Sequence, residues 1–321
     1  MSVFTHQKGF QLTVYSNKNA SCFKRAAKQV SETQECILDK NMKAGFIYDD
    51  FDADWNMKKK WKETHGNDMR VYTIAPRRKT LHMDDKVFFG TYTQSSTYVP
   101  KAYLKIEHLN GTPDDRILFV KPRGSTGGRG VVLKTFKEIK DQKIDPKIYL
   151  IQEYISCPHL YDGRRYKIRS HIVLHNKNVY LHERSWFSTS SRTFVGDING
   201  LDEKYITEMN IIHQTPQTKF YELKDIHGYK TIMENIKKSC SAFKSDFHDD
   251  ISKIDYYEFA VLGVDYVVDS ALNVYMIEAN HRSNYGHPAH IVENVDVPVL
   301  ADIIRLAINQ NNQNTELHLI A

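Results

Sequence analysis

The sequence predicts an α/β (α+β) protein of three lobes, and three stretches of the chain carry this prediction. Residues 11–48 alternate between strand, helix and strand patterns. Residues 116–135 combine a buried-type strand, a glycine-rich turn and a second strand. Residues 258–279 form two apolar strand patterns across a tight turn. Such an order of strands and helices is typical of small α/β lobes around a shared cleft.

The first predicted lobe, residues 1–78, contains the strand 11–15, the helix 20–33 and the strand 44–48. A further strand at 69–75 completes it. Strand, helix and strand at this length indicate a small open α/β unit.

The central lobe is predicted at residues 79–156 and is built from strands and one short helix. Its strands cover 116–121, 130–135 and 148–154, and its helix covers 136–142. Glycines dominate the turn between the first two strands.

The third lobe is predicted at residues 157–321. Its regular elements are expected at 166–174, 178–186, 229–247, 258–268, 273–279 and 297–310. Residues 188–225 are polar and irregular, and such a long segment in a compact domain usually binds a partner or moves. The tail from 311 onwards is expected to be loosely held.

Composition excludes several classes of protein. Hydrophobic residues make up 41% and charged residues 26% of the 321 positions, as in ordinary globular proteins. No stretch approaches the roughly 20 apolar residues of a membrane span, and the first residues lack the apolar core of a signal peptide. Cys22, Cys36, Cys157 and Cys240 match no zinc or redox spacing. We therefore expect a cytoplasmic protein with free thiols and no membrane partner.

The net charge of +5 is mild, and it favours anionic partners without indicating nucleic acid. The most basic run covers residues 57–62, and Arg70, Arg77, Arg78 and Lys79 follow it. This pattern fits a solvated helix face. It equally fits a docking surface for ATP phosphates or for an acidic polypeptide.

A glycine-rich loop is the first stretch that suggests chemistry. Lys121 closes a buried strand, and the loop then contains Gly124, Ser125, Thr126, Gly127 and Gly128 before the next strand. Glycines allow backbone N–H groups to approach phosphate oxygens, and a lysine adds a point charge. The loop lacks the Gly-Lys-Ser/Thr ending of a Walker motif. By itself the pattern also fits a hairpin that binds no ligand.

Three oxygen-bearing side chains lie on the apolar strand pair of the third lobe. Asp265 lies within the first strand, and Glu278 and Asn280 end the second. Because alternate residues of a strand share a face, Glu278 and Asn280 point the same way, and the hairpin brings Asp265 beside them. Hard oxygen ligands suit Mg²⁺ held jointly with phosphate oxygens. The sequence therefore predicts a metal site, although one structural carboxylate beside two polar strand ends is the alternative.

Two further strands add candidate binding groups. Residues 151–155 form a strand whose polar end can serve as an adenine hinge or simply as an edge strand. Lys167 and Arg169 share one face of the next strand, and Arg184 follows on its partner. These cations could stabilise a transferring phosphoryl group, or they could form a solvated basic face.

As an ordered set, these motifs resemble the ATP-grasp superfamily, and within it the tubulin–tyrosine ligase-like family most closely. The resemblance covers about 80–290 and includes Lys-Ile-Arg-Ser, Gly-x-Asp-Tyr-Val-Val and Ile-Glu-Ala-Asn. It implies an ATP-grasp fold with ATP between the central and C-terminal lobes. It also implies a ligase that activates a carboxylate as an acyl phosphate and joins it to an amine, with ATP and Mg²⁺ (Mn²⁺ as the alternative) as cofactors.

The resemblance also implies roles for single residues. Lys86 and Lys121 are similar to the two nucleotide lysines, and Arg169 is similar to the phosphate-facing arginine. The hinge then consists of Gln152, Glu153, Tyr154 and Ile155, with Glu153 accepting a hydrogen bond from the adenine amine. Lys167 joins the ATP-binding set, and Asp265, Glu278 and Asn280 match the metal triad in their spacing of 13 and then 2 residues.

The chain also departs from the family pattern. Where the family has Leu-Arg-Thr, this sequence has Phe187-Ser188-Thr189, so Arg184 or Arg192 is the expected substitute for the second catalytic arginine. After Asn280 the family tends to small residues, whereas His281-Arg282 follows here. The acceptor is expected to be an amino acid, or a peptide or protein with an acidic tail.

Two alternatives remain open from the sequence. A kinase acting on a small molecule's hydroxyl would use the same ATP-handling motifs and would differ in its product. A non-catalytic nucleotide-binding module is favoured by the missing arginine, but it has little need of three metal ligands.

Overall fold

The structure is a computed structural model of the 321-residue chain. It describes residues 2–7, 11–16, 19–32, 43–48, 54–67, 69–124, 128–196, 202–212, 218–309 and 315–321. Among these residues, no helix is both long and apolar enough to cross a bilayer.

The first lobe follows the predicted alternation of strands and helices. Its elements are β1 (Ser2–Gln7), β2 (Gln11–Ser16), α1 (Ala20–Glu32), β3 (Lys43–Tyr48), α2 (Asp54–His65) and β4 (Arg70–Ile74). β2, β3 and β4 pair in parallel, as strands joined by crossover helices do. β1 pairs antiparallel with β2 and was not expected from the sequence.

The central lobe is a small sheet with helices beside it. Its elements are α3 (Leu81–Asp84), α4 (Lys86–Tyr92), β5 (Ala102–Tyr103), β6 (Ile117–Pro122), β7 (Val132–Thr135), α5 (Phe136–Asp141) and β8 (Tyr149–Glu153). The strand order is β5-β8-β6-β7. Thr135 and Glu138 form a reciprocal capping box that begins α5 directly after β7.

The remaining elements form the large C-terminal region. They are β9 (Tyr166–His175), β10 (Asn178–His182), β11 (Trp186–Thr189), α6 (Glu203–Asn210), β12 (Phe220–Glu222), α7 (Tyr229–Asp246), α8 (His248–Ile251), β13 (Glu258–Val268), β14 (Val274–His281), α9 (Ala289–Ile291), a π-helical turn (Val292–Asp296), α10 (Val297–Asn309) and β15 (Leu317–Leu319). The expected hairpin strand 178–186 is two strands, because the chain leaves the sheet between β10 and β11.

One large sheet joins the first lobe to the C-terminal region. Within the described residues it has 11 strands in the order β1-β2-β3-β4-β13-β9-β10-β15, with β14 beside β13, β11 beside β9 and β12 beside β11. β4 runs parallel to β13, with Thr73 opposite Glu258. Helices α1 and α10 pack on one face, and α7 packs on the other. β9 and β13 are thus fixed between two hydrophobic cores, which makes them rigid supports for polar side chains at their ends.

The end of the chain is held more firmly than expected. β15 pairs antiparallel with β10, with Leu317 opposite His182. Lys244 Nζ also donates to the carbonyl oxygen of Ile320. The prediction of a loose tail is therefore wrong for residues 315–321, while residues 310–314 lie outside the described part.

Candidate functional site: a cleft between two sheets

A cleft lies between the small central sheet and the large sheet. Its lining includes Lys86, Lys121, Lys167 and Glu278, together with Gln152, Glu153 and Ile155 of the predicted hinge. Apolar side chains form most of its walls, among them Phe119, Ile155, Ile211, Val267 and Ile277. An apolar cavity with a few convergent charges is the usual form of a nucleotide or cofactor site.

Lys86 enters the cleft from the start of α4. The Asp85 carboxylate caps this helix by accepting hydrogen bonds from the N–H groups of Val87 and Phe88. Arg123 Nε donates to the other carboxylate oxygen of Asp85 at 2.8 Å, which ties the helix start to the glycine-rich loop. Lys86 Nζ lies 4.0 Å from Glu278 Oε2. Both predicted nucleotide lysines therefore reach the same end of the cleft.

Lys121 is held in place by the hinge strand. Its ammonium group donates to Gln152 Oε1 at 2.6 Å, and Gln152 Nε2 donates to the carbonyl oxygen of Pro100. Burial, reinforced by the neighbouring cations Lys86 and Lys167, lowers the pKa of Lys121 to about 8. Because burial makes the charged form of this lysine costly, a bound anion would stabilise that form strongly. Gln152 therefore serves to orient this lysine.

Glu153 and Tyr154 differ from the expected hinge contacts. The Glu153 carboxylate accepts a hydrogen bond from Tyr103 Oη at 2.9 Å and lies 3.7 Å from Arg116. Both contacts are made by Oε1, so the predicted hydrogen bond from an adenine amine to this carboxylate stays a prediction. Tyr154 does not line the cleft, because its hydroxyl donates to Asn210 Oδ1 and its ring lies under Arg165. Gln152, Glu153 and Ile155 do line it.

The predicted metal ligands share one corner of the large sheet. Asp265 of β13 lies directly opposite Glu278 of β14, and Gly263 lies opposite Asn280. A β-bulge between Asp265 and Tyr266 shifts the register immediately after this pair. Asn280 Nδ2 donates to the carbonyl oxygen of Gly263 at 3.3 Å, so its amide oxygen is the atom suited to a cation. The donor set is entirely oxygen, as Mg²⁺ prefers.

Asp265 is fully buried between two cations. Lys167 Nζ donates to Oδ2 at 2.7 Å, and Arg169 Nε donates to Oδ1 at 2.5 Å. Burial alone would raise the pKa of Asp265, but Arg169 and Lys167 hold it well below its usual range. The carboxylate is therefore ionised and holds both cations. Lys167 lines the cleft, whereas Arg169, Asp265 and Asn280 are absent from its lining and lie directly behind it.

Arg184 lies elsewhere in the molecule. It follows the end of β10, donates through Nε and Nη2 to Glu316 at 2.5 and 2.7 Å, and contacts the carbonyl oxygen of Asn294. It is absent from the lining of the cleft. This placement gives no support to the prediction that Arg184 is catalytic, because the side chain lies outside the cleft lining and is paired with Glu316. Arg192 is likewise paired with Glu208.

The comparisons with known proteins agree with this geometry. The family model described as the tubulin-tyrosine ligase family matches residues 49–316. The chain belongs to the tubulin-tyrosine ligase family. It is also 23% identical over 235 residues to "Tubulin glycylase 3C" of Tetrahymena thermophila, an alignment that covers 64% of this chain. The chain spans only 22% of that relative's length.

Membership of the tubulin-tyrosine ligase family confirms the fold class and the family predicted from the sequence. The family's enzymes are ATP-dependent, which agrees with the predicted reaction class. Because the chain spans 22% of the length of the glycylase, its own activity and acceptor stay proposals. No finding tests the individual site residues or the bounds of the three lobes, and these stay predictions.

Sequence reasoning missed several residues that line the cleft. Arg165 lines it, donates to the carbonyl oxygen of Ile155, and lies 4.4 Å from the centroid of the Tyr154 ring. Asn210, Ile211 and Ile212 line it from the segment that the sequence marked only as long and irregular. Arg165 directly precedes β9 and could have been chosen with Lys167. The position of residues 210–212 in the cleft wall depends on tertiary packing, which a local sequence pattern does not predict.

The glycine-rich loop is described in part. Gly128 lines the cleft and has a φ of +77°, which glycine adopts without strain. Gly124 has no heavy atom within 4 Å of the position of an added Cβ, so it borders open space. Ser125, Thr126 and Gly127 lie outside the described residues, and their predicted phosphate contacts are untested.

Proposed function

We propose that this chain is an ATP-dependent carboxylate–amine ligase that adds an amino acid to an acidic protein acceptor. The observation that carries the proposal is the convergence of Lys86, Lys121, Lys167 and Glu278 at one end of a cleft with apolar walls. Membership of the tubulin-tyrosine ligase family supports the reaction class. The name of the Tetrahymena relative supports glycine as an amino acid to test first.

ATP would bind with its adenine at the hinge and its phosphates at the lysines. The apolar walls suit a purine ring, and the backbone of residues 153–155 would read its edge. Lys121 and Lys86 would contact the phosphates, as point charges do in other nucleotide sites. The glycine-rich loop, from Gly124 to Gly130, would cover the phosphates and keep water from the reactive intermediate.

A divalent ion, Mg²⁺ or Mn²⁺, fits the corner formed by Asp265, Glu278 and Asn280. All three offer oxygen atoms, and Glu278 lies in the cleft wall beside Lys86. When bound, such an ion neutralises charge on the β- and γ-phosphates. Asp265 has a second task, because it also holds Lys167 and Arg169.

The chemistry would proceed in two steps that need no nucleophilic side chain. A carboxylate oxygen of the acceptor attacks the γ-phosphorus, the bond to ADP breaks, and an acyl phosphate forms. The amino acid's amine then attacks the acyl carbon, inorganic phosphate leaves, and an amide forms. Arg169 would stabilise the transferring phosphoryl group and the anionic tetrahedral intermediate by a fixed positive charge. Positioning and charge neutralisation would supply most of the rate enhancement.

An acidic polypeptide is the acceptor that the surface favours. α2 carries Lys58, Lys59 and Lys60, of which the last two are exposed. Lys58 Nζ lies 5.8 Å from the centroid of the exposed Tyr257 ring. Lysines beside an exposed aromatic ring suit glutamate-rich peptides, which would also supply the carboxylate that is activated.

The test is a matrix of the twenty amino acids against acidic peptides, with phosphate release and product mass as readouts. The proposal predicts that release requires both substrates and that the product gains one amino acid residue. Glu278→Gln should abolish release, whereas Glu234→Gln on the exposed surface of α7 should not. A product heavier by one phosphate would identify a kinase, and full activity of Glu278→Gln would refute the metal assignment.

A further inference from the structure

We propose that Ser283 is a positioning residue that fixes the guanidinium of Arg169 for the reaction, acting through it and not on the substrate. The inference rests on the proposed function of Arg169 and goes beyond it. Ser283 lies in the loop that follows β14, is 1% exposed, and does not line the cleft. A substrate contact is therefore not its role.

Arg169 is held through Nε, Nη1 and one face of its guanidinium group. Nε donates to Asp265 at 2.5 Å, and Nη1 donates to Ser283 Oγ at 3.4 Å. The Trp186 ring centroid lies 5.7 Å from Cζ, within the range of a cation–π contact. Asp265 alone would permit rotation of the group about the Nε contact. The second contact, from Ser283, is the one that restricts this rotation.

The Ser283 hydroxyl is itself oriented by a buried histidine. Its oxygen lies 3.4 Å from His171 Nε2. Because the hydroxyl accepts a hydrogen bond from Arg169, its own proton is available for His171. Burial, with the Arg169 charge second, lowers the pKa of His171 well below its usual value, so the ring is neutral and can accept that proton. His171 in turn stacks on Tyr285 at a centroid distance of 5.6 Å.

Glycine at position 263 makes this contact possible. An added Cβ would lie 2.5 Å from Ser283 Oγ and 2.6 Å from Arg169 Nη1. Both distances are too short for real atoms, so any side chain at 263 would drive these two groups apart. The absence of a side chain at position 263 leaves the space in which Ser283 Oγ and Arg169 Nη1 approach each other.

The first lobe fixes the loop that carries Ser283. Tyr48 Oη donates to the carbonyl oxygen of Ser283 at 3.2 Å, and Cys22 Sγ donates to that of Tyr285 at 3.3 Å. Asn19 Nδ2 donates to Asn284 Oδ1 at 2.8 Å. Three contacts from a distant part of the chain hold these three consecutive residues, so the position of Ser283 is set by the whole fold.

The experiment is a double-mutant cycle between Ser283→Ala and Arg169→Lys, measured as kcat and KM for ligation with ATP, amino acid and acidic peptide. Ser283→Ala should lower kcat about tenfold, the effect of one hydrogen bond to a charged group, with KM for ATP within about twofold of wild type. In the Arg169→Lys background, Ser283→Ala should have no further effect. Gly263→Ala should lower kcat at least as strongly as Ser283→Ala.

Ser185→Ala is the matched control. Ser185 is also a buried serine, 3% exposed, and its hydroxyl donates to Ser170 Oγ at 2.9 Å and not to Arg169. It should retain wild-type kcat. Equal losses of kcat from Ser283→Ala in both arginine backgrounds would overturn the inference, as would unchanged kcat in Ser283→Ala while Arg169→Lys is impaired. Full activity of Arg169→Lys would instead refute the proposed role of Arg169 itself.

Discussion

Two clusters of this molecule pair arginine with carboxylate, yet they differ in charge balance. The cleft cluster consists of four residues that line the cleft, Lys86, Lys121, Lys167 and Glu278, and of Asp265 and Arg169 behind them, so that four cations face two carboxylates. The clamp cluster consists of His182, Arg184, Asp302, Arg305 and Glu316, in which each carboxylate has its own arginine. An excess of buried positive charge needs an anionic ligand, whereas a balanced set needs none.

The clamp cluster also shows that geometry alone does not make a metal site. His182, Asp302 and Glu316 bring ligand atoms within 4.8 Å of one another. However, His182 Nδ1 accepts a hydrogen bond from the Arg184 N–H, so in the neutral ring Nε2 keeps its proton and donates to Asp302 at 3.2 Å. Asp302 also accepts hydrogen bonds from Arg305 and from the N–H of Glu316. The cluster therefore fastens the C-terminal segment to β10 rather than binding an ion.

Asp265→Asn should have the largest effect, because it removes the carboxylate that both cleft cations share. Lys167 and Arg169 would be left largely buried without a counter-charge, which costs about 3–5 kcal/mol of stability. Ligation should fall by at least about 10²-fold as the fixed positive charge loses its position. Chemical denaturation and kcat at a temperature where the variant is folded would measure the two effects. A folded variant with undiminished turnover would contradict the account of the cleft cluster.

Asp302→Asn should affect stability without affecting ligation by the folded fraction. Burial alone would raise the pKa of Asp302, but hydrogen bonds from His182, Glu316 and Arg305 lower it below 3.8. The charged form therefore stabilises the fold above pH 3.8, and this contribution is lost as the pH falls through the lower folded-state pKa. We expect about 3 kcal/mol less stability at pH 7, and a smaller difference from wild type below pH 3.8. Reduced kcat in folded Asp302→Asn would show that the clamp cluster communicates with the cleft.

ATP binding should be coupled to proton uptake by Lys121. Burial lowers its pKa to about 8, and bound phosphates would raise it. Binding should thus take up protons near pH 8.5 and almost none near pH 6.5. Calorimetry in two buffers of different ionisation enthalpy measures this uptake, and Lys121→Met should remove it. Equal proton uptake in wild type and Lys121→Met would mean that another group titrates.

Arg184→Ala should have the smallest effect. Its side chain is 41% exposed, and a pair at such a site contributes about 0–1 kcal/mol. We expect an unchanged kcat and a small decrease in the melting temperature. A large loss of kcat would restore the catalytic role that the sequence suggested.

The sequence allowed the shared placement of the three predicted metal ligands to be predicted, because local rules determine it. Alternation along a strand and a short connection put Glu278 and Asn280 on one face with Asp265 beside them. The sequence also allowed Lys121 and Lys167 to be predicted as cleft residues, since each lies on a strand that borders the cleft.

The contacts that the sequence did not predict join distant residues. Arg184 is paired with Glu316, 132 residues away, and the Glu153 carboxylate is engaged by Tyr103, 50 residues away. Asn210 reaches the cleft beside Tyr154, whose hydroxyl donates to it from 56 residues earlier in the chain. Pairings of this kind depend on the assembled sheet, and composition or periodicity does not encode them.

The most direct test of the central claim traces an ¹⁸O label from the acceptor carboxylate to the released phosphate. An acidic peptide with ¹⁸O in its carboxylates is incubated with ATP, amino acid and the enzyme, and the released phosphate is analysed by mass. Attack of the carboxylate on the γ-phosphorus, followed by displacement by the amine, transfers one carboxylate oxygen to each phosphate. The account therefore predicts one ¹⁸O atom per phosphate released, and unlabelled phosphate accompanying amide formation would contradict it.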